Sequence, residues 1–528
     1  VYDVIETMAA QSWSNQKVGM IGGSYDGTTT YAAAVMHPPH LVTIVPEAAI
    51  DRWYDYAFAN GVRYSYTTEP FGYEGPGTAG DEGIDTPAGF SFGLAIPPPI
   101  DEQDPTWAQQ VESRIAVCQQ VQQTMEGYST TPDYSAFWQA RDYLDGPPGA
   151  HQGLSDVTIP VLVASNYGDW NVKQVDGWQA FHTLTSSQFA RMYYGSRWHG
   201  HGTPPNTGTS CTQYDANTAT VDRWFAHWLQ GTDNGLETMP VVTTATTDSS
   251  GPTHDSYTCG AELAPAQVPL YLEHNGDGTW ALSPDAAAAP AGSPQATIDW
   301  TGTNTETNEV LHPYAPDSRY LSFTSPVLTQ DVRIYGEPQL HLWSTIQRTW
   351  ITYTPRLVDF DPSKYTGSGP TTESTTANAI PAMTRGWMDT RYRNGLAGPA
   401  SCTATPSQCV TPGQSFLTDV PLWPHDYTVR AGHRLILILS TETADWDVPK
   451  LSTSTDTGAP TAQINYEQSQ SYITIPMVGV TSGDALFSSA ANVPDAPWAP
   501  LLLLAGLPIG CAAIARRRLR RRVADPES

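Results

Sequence analysis

The residues most suggestive of chemistry lie in Gly22-Gly23-Ser24-Tyr25-Asp26-Gly27. An apolar run ending at Ile21 meets a helical pattern here, and a serine on such a strand-to-helix turn is held off the sheet with its hydroxyl exposed. Small neighbours let the backbone bend that tightly, and the N–H of Tyr25 then faces negative charge developing beside the serine at the helix N-terminus, an oxyanion donor. The spacing Gly-x-Ser-x-x-Gly is one residue longer than the common Gly-x-Ser-x-Gly elbow. Taken alone it also fits a plain glycine turn. A nucleophilic serine needs a base, and the base an orienting carboxylate, in the chain order Ser, acid, His when the turn is an elbow of this kind. Asp169, in Asn166-Tyr167-Gly168-Asp169-Trp170, and His199, in Gly195-Ser196-Arg197-Trp198-His199-Gly200, satisfy that order. Each directly follows an apolar run that reads as a strand, so Ser24, Asp169 and His199 are expected at one edge of a sheet, equipped to attack an acyl carbonyl. His201 is an alternative base. Asp176 and Asp156 are weaker acids for the role, one being in a helical pattern and the other before its strand. His37, His40, His182 and His227 read as surface or satisfied histidines.

The elements that must position these residues alternate. Lys17–Ile21 reads as a buried strand, Thr28–Met36 as a helix stopped by Pro38-Pro39, and Leu41–Val45 as the next strand. The rhythm resumes at Ile159–Ala164, followed by a helix with Val175, Trp178 and Phe181 on one face. A strand over Ala190–Tyr194 then leads to a helix with Val221, Trp224, Phe225, Trp228 and Leu229 at helical spacing. This is the signature of a parallel sheet covered by helices, predicting an α/β domain over residues 1–50 and 151–235. Residues 51–150 interrupt it with Tyr-, Trp-, Gln- and Pro-rich sequence and helical stretches around Thr106–Met125 and Tyr134–Tyr143, which reads as a helical cap, with plain scaffolding as the alternative. From residue 236 to 487 short β-rich runs such as Val268–Leu272, Val332–Trp343 and Leu435–Ser440 stand between turn residues, predicting an all-β domain of jelly-roll type. Tyr365–Thr376 reads as a Gly/Ser/Thr loop.

The chain has 528 residues and a net charge of −27, with 40% hydrophobic residues. A phosphate backbone repels such a surface, so nucleic acid is excluded as a general partner. The charge is unevenly spread. Ala496–Ala515 is a run of twenty uncharged residues containing Leu501–Leu504, and six arginines between Arg516 and Arg522 follow it. At 1.5 Å per residue the run reaches about 30 Å, enough for a transmembrane or sorting segment. Residues 488–495 form its linker and residues 516–528 a basic cytoplasmic tail, which places the bulk of the chain outside the cytoplasm, at the cell surface. Six cysteines suit that compartment, with Cys402–Cys409 and Cys211–Cys259 as plausible disulfides and Cys118 and Cys511 unassigned. No Cys/His spacing suggests a metal, and no cofactor is implied. At the other end, Val1-Tyr2-Asp3 enters a helical pattern with Val4, Ile5, Met8 and Ala9 on one face, which reads as a start inside a domain.

The chain resembles the X-Pro dipeptidyl-peptidase and cocaine-esterase family of α/β-hydrolases. The resemblance rests on Gly22-x-Ser24-Tyr25-x-Gly27, on Trp13-Ser14-Asn15-x-Lys17-Val18-Gly19-Met20 before it, and on Gly168-Asp169 and Gly195-x-x-x-His199-Gly200. It continues through Ser325-Pro326-Val327-Leu328, Val332-x-Ile334-x-Gly336-x-Pro338, Thr384-Arg385-Gly386-Trp387 and Ala431-Gly432-His433-Arg434-Leu435. It implies a hydrolase domain, a helical cap and a C-terminal jelly roll, with Ser24 as nucleophile, His199 as base, Asp169 as its orienting acid and the Tyr25 N–H as one oxyanion donor. The family's second donor, a tyrosine hydroxyl from a loop upstream of the elbow, is expected before Val1, together with further sheet strands. Peptides with X-Pro N-termini, or alternatively aryl and amino-acid esters or amides, are the implied substrates. For a dipeptidase, Glu47, Asp51 and Asp55, with Trp53, Tyr54 and Tyr56, are candidates for holding an α-amine, lid packing being the alternative. A contrasting reading is a non-catalytic surface protein that binds through the jelly roll.

Overall fold

The computed structural model describes residues 1–63, 133–147, 153–196, 199, 218–250, 256–274, 279–286, 296–299, 306–311, 317–366, 369–370, 382–396, 408–443, 446–447, 458–459, 461–466 and 470–487. The helical stretch expected at Thr106–Met125, the linker at 488–495, the apolar span at 496–515 and the basic tail lie outside them. Among the described residues no helix is long and apolar enough to cross a membrane.

The alternation in the first half builds a six-stranded sheet. Its strands are β1 (Val18–Gly23), β2 (Leu41–Glu47), β3 (Val161–Asn166), β4 (Ala190–Gly195), β5 (Val242–Thr246) and β6 (Ser256–Gly260), adjacent in that order. The first five run parallel and β6 returns antiparallel. Helix α1 (Tyr2–Ala9) precedes β1, α2 (Tyr25–Ala34) follows it, α3 (Gln174–Thr183) joins β3 to β4, and α4 (Thr218–Gln230) precedes β5. Strand β3 is buried along its whole length, as a parallel strand covered on both faces must be. The core gathers Tyr31, Ile44, Val161, Val163, Phe181, Met192 and Tyr194. On α1 only Ile5 and Ala9 of the expected apolar face are buried; Val4 and Met8 stand exposed.

The boundary expected at residue 236 falls too early. β5 pairs with β4 and β6 with β5, so the sheet that holds the candidate residues continues to Gly260. β5, Val-Thr-Thr-Ala-Thr, has the same β-branched composition as the domain that follows it. Sequence texture therefore does not separate them, and the hydrogen bonds to β4 do.

Beyond Ala266 the chain forms a largely antiparallel β-rich domain around a second core that includes Val268, Leu270, Leu340, Leu342, Leu437 and Ile475. The run Val332–Trp343 is two strands, Val332–Gly336 and Gln339–Ile346, broken at Glu337-Pro338. Within the stretch read as a loop at Tyr365–Thr376, Tyr365–Thr366 pairs with Gly369–Pro370. Cys259 and Cys409 are both disulfide-bonded; Cys211 and Cys402, the halves expected opposite them, lie outside the described residues.

The two domains meet through polar and aromatic contacts. Arg333 grips Asp426 with Nε at 2.8 Å and Nη2 at 2.6 Å, and Asp426 accepts from the Thr244 hydroxyl at 2.9 Å. Thr244 in turn lies 3.0 Å from the hydroxyl of Tyr167, just past β3.

Candidate active site

Ser24 sits between β1 and α2 with φ 58° and ψ −126°. A non-glycine residue is rarely held there, and the surrounding backbone imposes it. The Ser24 N–H donates to the Glu47 carbonyl at 2.8 Å, tying the turn to the end of β2. Two glycines make the turn possible. A Cβ on Gly22 would come 2.5 Å from the Asp26 carbonyl, and one on Gly27 would lie 2.7 Å from the Gly22 oxygen and 2.8 Å from that of Glu47. The extra residue in Gly-x-Ser-x-x-Gly thus places the second glycine one position further into the helix, as its third residue, where α2 crosses the backbone of both strands. Tyr25 is the first residue of α2, and its N–H is among those that no preceding helical carbonyl can satisfy.

The other two residues come from the carboxyl ends of neighbouring strands. Asp169 follows β3 in a loop that ends at α3, and His199 follows β4. The Ser24 hydroxyl donates to His199 Nε2 at 2.9 Å, and His199 Nδ1 donates to Asp169 Oδ2 at 2.8 Å. The second oxygen of Asp169 accepts from the backbone N–H groups of Asn171 at 3.1 Å and Val172 at 2.9 Å. Asp169 is fully buried while His199 is partly open. Burial pushes the Asp169 carboxyl above its usual range even though His199 and the two amides pull it down. Its charge is therefore held in low dielectric against one cation-forming partner, and the imidazole tautomer with the proton on Nδ1 leaves Nε2 free to take the serine proton.

The remaining candidates are not brought here. Asp176 lies in the first turn of α3 and Asp156 in a short turn before β3, bonded to Ser155. His40 bonds Glu6, His182 bonds Glu262 and the Trp178 carbonyl, and His227 bonds the Thr232 carbonyl. His201 lies outside the described residues. Among the described residues no group of three or more His, Cys, Asp or Glu is arranged to hold a metal. Of the acidic residues after β2, Asp51 is fully buried, its carboxyl raised by burial and by neighbouring Asp176. Asp55 is paired with Arg52 at 3.1 Å. Tyr54 is buried in an aromatic cluster, whereas Trp53 meets the Tyr25 ring edge-on at 5.7 Å.

Sequence reasoning missed the groups that hold the Asp169 loop. Lys173 is fully buried, and its ammonium donates to the Asp55 carbonyl at 2.5 Å and to that of Tyr56. Burial drives its pKa down in spite of the nearby carboxyls. The Tyr56 hydroxyl reaches Asn171 at 2.6 Å. Both contacts tie the loop to the segment that follows β2. A lysine between Val172 and Gln174 carries no local signal of burial, since only the fold places carbonyls around it.

Two family sequence models match the chain. One, described as X-Pro dipeptidyl-peptidase (S15 family), covers residues 1–201; the other, described as the X-Pro dipeptidyl-peptidase C-terminal non-catalytic domain, covers residues 171–474. Similar proteins include a putative Xaa-Pro dipeptidyl-peptidase from Bacillus anthracis, 27% identical over 84% of this chain and 62% of its own length. An Xaa-Pro dipeptidyl-peptidase from Lacticaseibacillus rhamnosus is 26% identical over 81% of this chain and 51% of its own. The chain therefore spans less than two thirds of the length of these relatives. Among solved structures, a CocE/NonD family hydrolase from Staphylococcus aureus aligns with TM-score 0.60 at 17% identity, covering 90% of this chain and 75% of that one. An α-amino acid ester hydrolase aligns with TM-score 0.55 at 16% identity, covering 90% and 79%. These likenesses establish the fold: an α/β-hydrolase domain followed by a β-rich domain.

Proposed function

Because the chain belongs to the X-Pro dipeptidyl-peptidase (S15) family, we propose that it is a serine hydrolase of acyl bonds, acting on peptides with an X-Pro N-terminus. The observation that carries this reading is the continuous relay Ser24 Oγ to His199 Nε2 at 2.9 Å and His199 Nδ1 to Asp169 Oδ2 at 2.8 Å. Ser24 Oγ attacks the carbonyl carbon while His199 Nε2 takes its proton. The resulting oxyanion faces the Tyr25 N–H and the positive end of α2. The imidazolium, stabilised by Asp169, returns the proton to the leaving amine or alcohol as the C–N or C–O bond breaks. Water then attacks the acyl-serine with the same base and frees Ser24.

A second reading within the same chemistry is hydrolysis of amino-acid or aryl esters. It is favoured by the full burial of Asp51 and the pairing of Asp55 with Arg52, which withdraw two of the three carboxylates proposed from sequence to hold an α-amine. The jelly-roll character of the β-rich domain, and a cell-surface location through residues 496–515, are proposals supported by sequence pattern; fractionation of cells expressing the intact protein tests the second, and recovery in the cytosolic fraction refutes it.

A fluorophosphonate probe tests the nucleophile. Labelling of the full-length protein that is abolished in Ser24→Ala is expected, and labelling that survives the substitution refutes the mechanism. Parallel assays on an X-Pro anilide and an aryl ester separate the two substrate readings. Faster turnover of the ester, with no dependence on a free α-amine, rejects the peptidase.

A further inference from the structure

The loop that carries Asp169 is held from both sides by the β-rich domain. Two residues before Asp169, the Tyr167 ring stacks on His425 at 5.0 Å with 13° between planes. One residue after it, Trp170 is stacked on Trp423 at 5.8 Å and meets Trp446 edge-on at 5.0 Å. Arg385 completes the enclosure. Its guanidinium lies 4.6 Å from the centre of the Trp170 ring and 4.4 Å from that of Trp446, so one cation bridges a ring of the Asp169 loop and a ring of the other domain.

Arg385 is itself fixed. It is almost fully buried, and Glu306 takes its Nε at 2.6 Å and its Nη2 at 2.5 Å. Burial alone would raise the Glu306 carboxyl, but Arg385 and Arg356 beside it hold it below the usual range, so it remains an anion. This two-pronged grip sets the plane of the guanidinium. The third nitrogen, Nη1, is buried and meets no hydrogen-bond partner among the described residues. A fully oriented arginine that spends two donors on one carboxylate and turns its face to two indoles is built to set the position of those rings.

We propose that Arg385 is a positioning residue for the Ser24–His199–Asp169 relay, acting through Trp170 on Asp169, so that the β-rich domain takes part in setting the geometry of the site. The inference rests on the serine-hydrolase reading above. The peptide unit linking Asp169 to Trp170 gives the loop little freedom to move one without the other. Among the described residues, His199 is the hydrogen-bond partner that holds Asp169 on its Oδ2 side. A shift of Trp170 into space left by Arg385 therefore displaces the carboxylate relative to the imidazole.

The test compares Arg385→Met, Arg385→Lys and Trp170→Leu with Leu437→Ala, a core substitution in the β-rich domain with no place in the Asp169 loop. Turnover of an aryl ester, KM, fluorophosphonate labelling rate and melting temperature are measured on the full-length protein. Arg385→Met and Trp170→Leu are expected to lower kcat and labelling rate together, by about 10- to 100-fold for a displacement near 1 Å, with KM little changed. Arg385→Lys falls between, since an ammonium keeps the charge over the rings and loses the fork. Leu437→Ala lowers the melting temperature and leaves kcat. The proposal is overturned if Arg385→Met and Trp170→Leu keep kcat within about twofold of the parent, well short of that displacement cost, or if Leu437→Ala lowers kcat as much as they do. If Arg385→Met fails to fold, Arg385→Lys and Trp170→Leu decide by the same criteria. Turnover persisting in Ser24→Ala identifies failure of the underlying reading instead.

Discussion

Replacing Asp169 by asparagine tests the relay without changing its shape. The amide has two orientations. In one, its oxygen stays on the N–H groups of Asn171 and Val172, at 3.1 and 2.9 Å in the parent, and its NH2 faces His199 Nδ1, at 2.8 Å. In the other, the NH2 confronts two backbone N–H donors. The first keeps two hydrogen bonds that the second loses, a difference of about 2 kcal/mol at about 1 kcal/mol each. The amide therefore presents a donor to Nδ1, which must accept. The imidazole proton moves to Nε2, the atom 2.9 Å from Ser24 Oγ, and that nitrogen no longer takes the serine proton. The expected loss in kcat is about 10⁴-fold, or about 5 kcal/mol in the barrier. Because Asp169 is fully buried, removing its charge also removes a desolvation cost, so the melting temperature should change little. The measurements are aryl-ester turnover at pH 7 and thermal melting of the full-length variant. A folded Asp169→Asn protein that retains more than about a tenth of parent kcat would refute the argument, since the wrong tautomer predicts a far larger loss.

Two further substitutions probe the frame. Gly27→Ala places a Cβ 2.7 Å from the Gly22 oxygen, 2.8 Å from that of Glu47 and 2.9 Å from Ala49 Cβ. It should cost about 1–3 kcal/mol in urea unfolding as α2 is pushed from the sheet, with loss of probe labelling; unchanged stability would contradict the close approach. His182→Gln concerns pH. Burial lowers the His182 pKa, but Glu262 at 2.6 Å and the Trp178 carbonyl at 2.7 Å outweigh it and leave it raised. A raised histidine pKa means stability fully present below the unfolded value, about 6.5, and lost as pH rises through the folded value. The parent should therefore exceed His182→Gln in melting temperature more at pH 5.5 than at pH 8.5, and an equal gap at both would show the ion pair contributes nothing.

Much of the site was legible because its signals are local. The glycines flanking Ser24 report a backbone that must pass within van der Waals distance of β2, and strand-length apolar runs mark where Asp169 and His199 leave the sheet. The boundary at residue 236 was misread because β5 looks like any other β-branched run; its membership is a matter of pairing with β4. Val4 and Met8 belong to a helix whose periodicity is plain, but periodicity does not say which half of an apolar stripe finds a neighbour.

By itself the sequence determined the alternating strands and helices that flank the candidate site, the strand-to-helix turn at Ser24 and the candidacy of Ser24, Asp169 and His199, because each depends on neighbours within a few residues. The tertiary structure decided how they meet. Residues 24, 169 and 199 converge only because β1, β3 and β4 are parallel strands of one sheet ending on one edge. Lys173 anchors the Asp169 loop to the Asp55 carbonyl, and Arg385 meets the loop's Trp170 ring, each contact spanning more than a hundred residues of chain and made by packing. Such contacts leave no periodic trace, since a buried cation is specified by what surrounds it in space and not by what adjoins it in sequence.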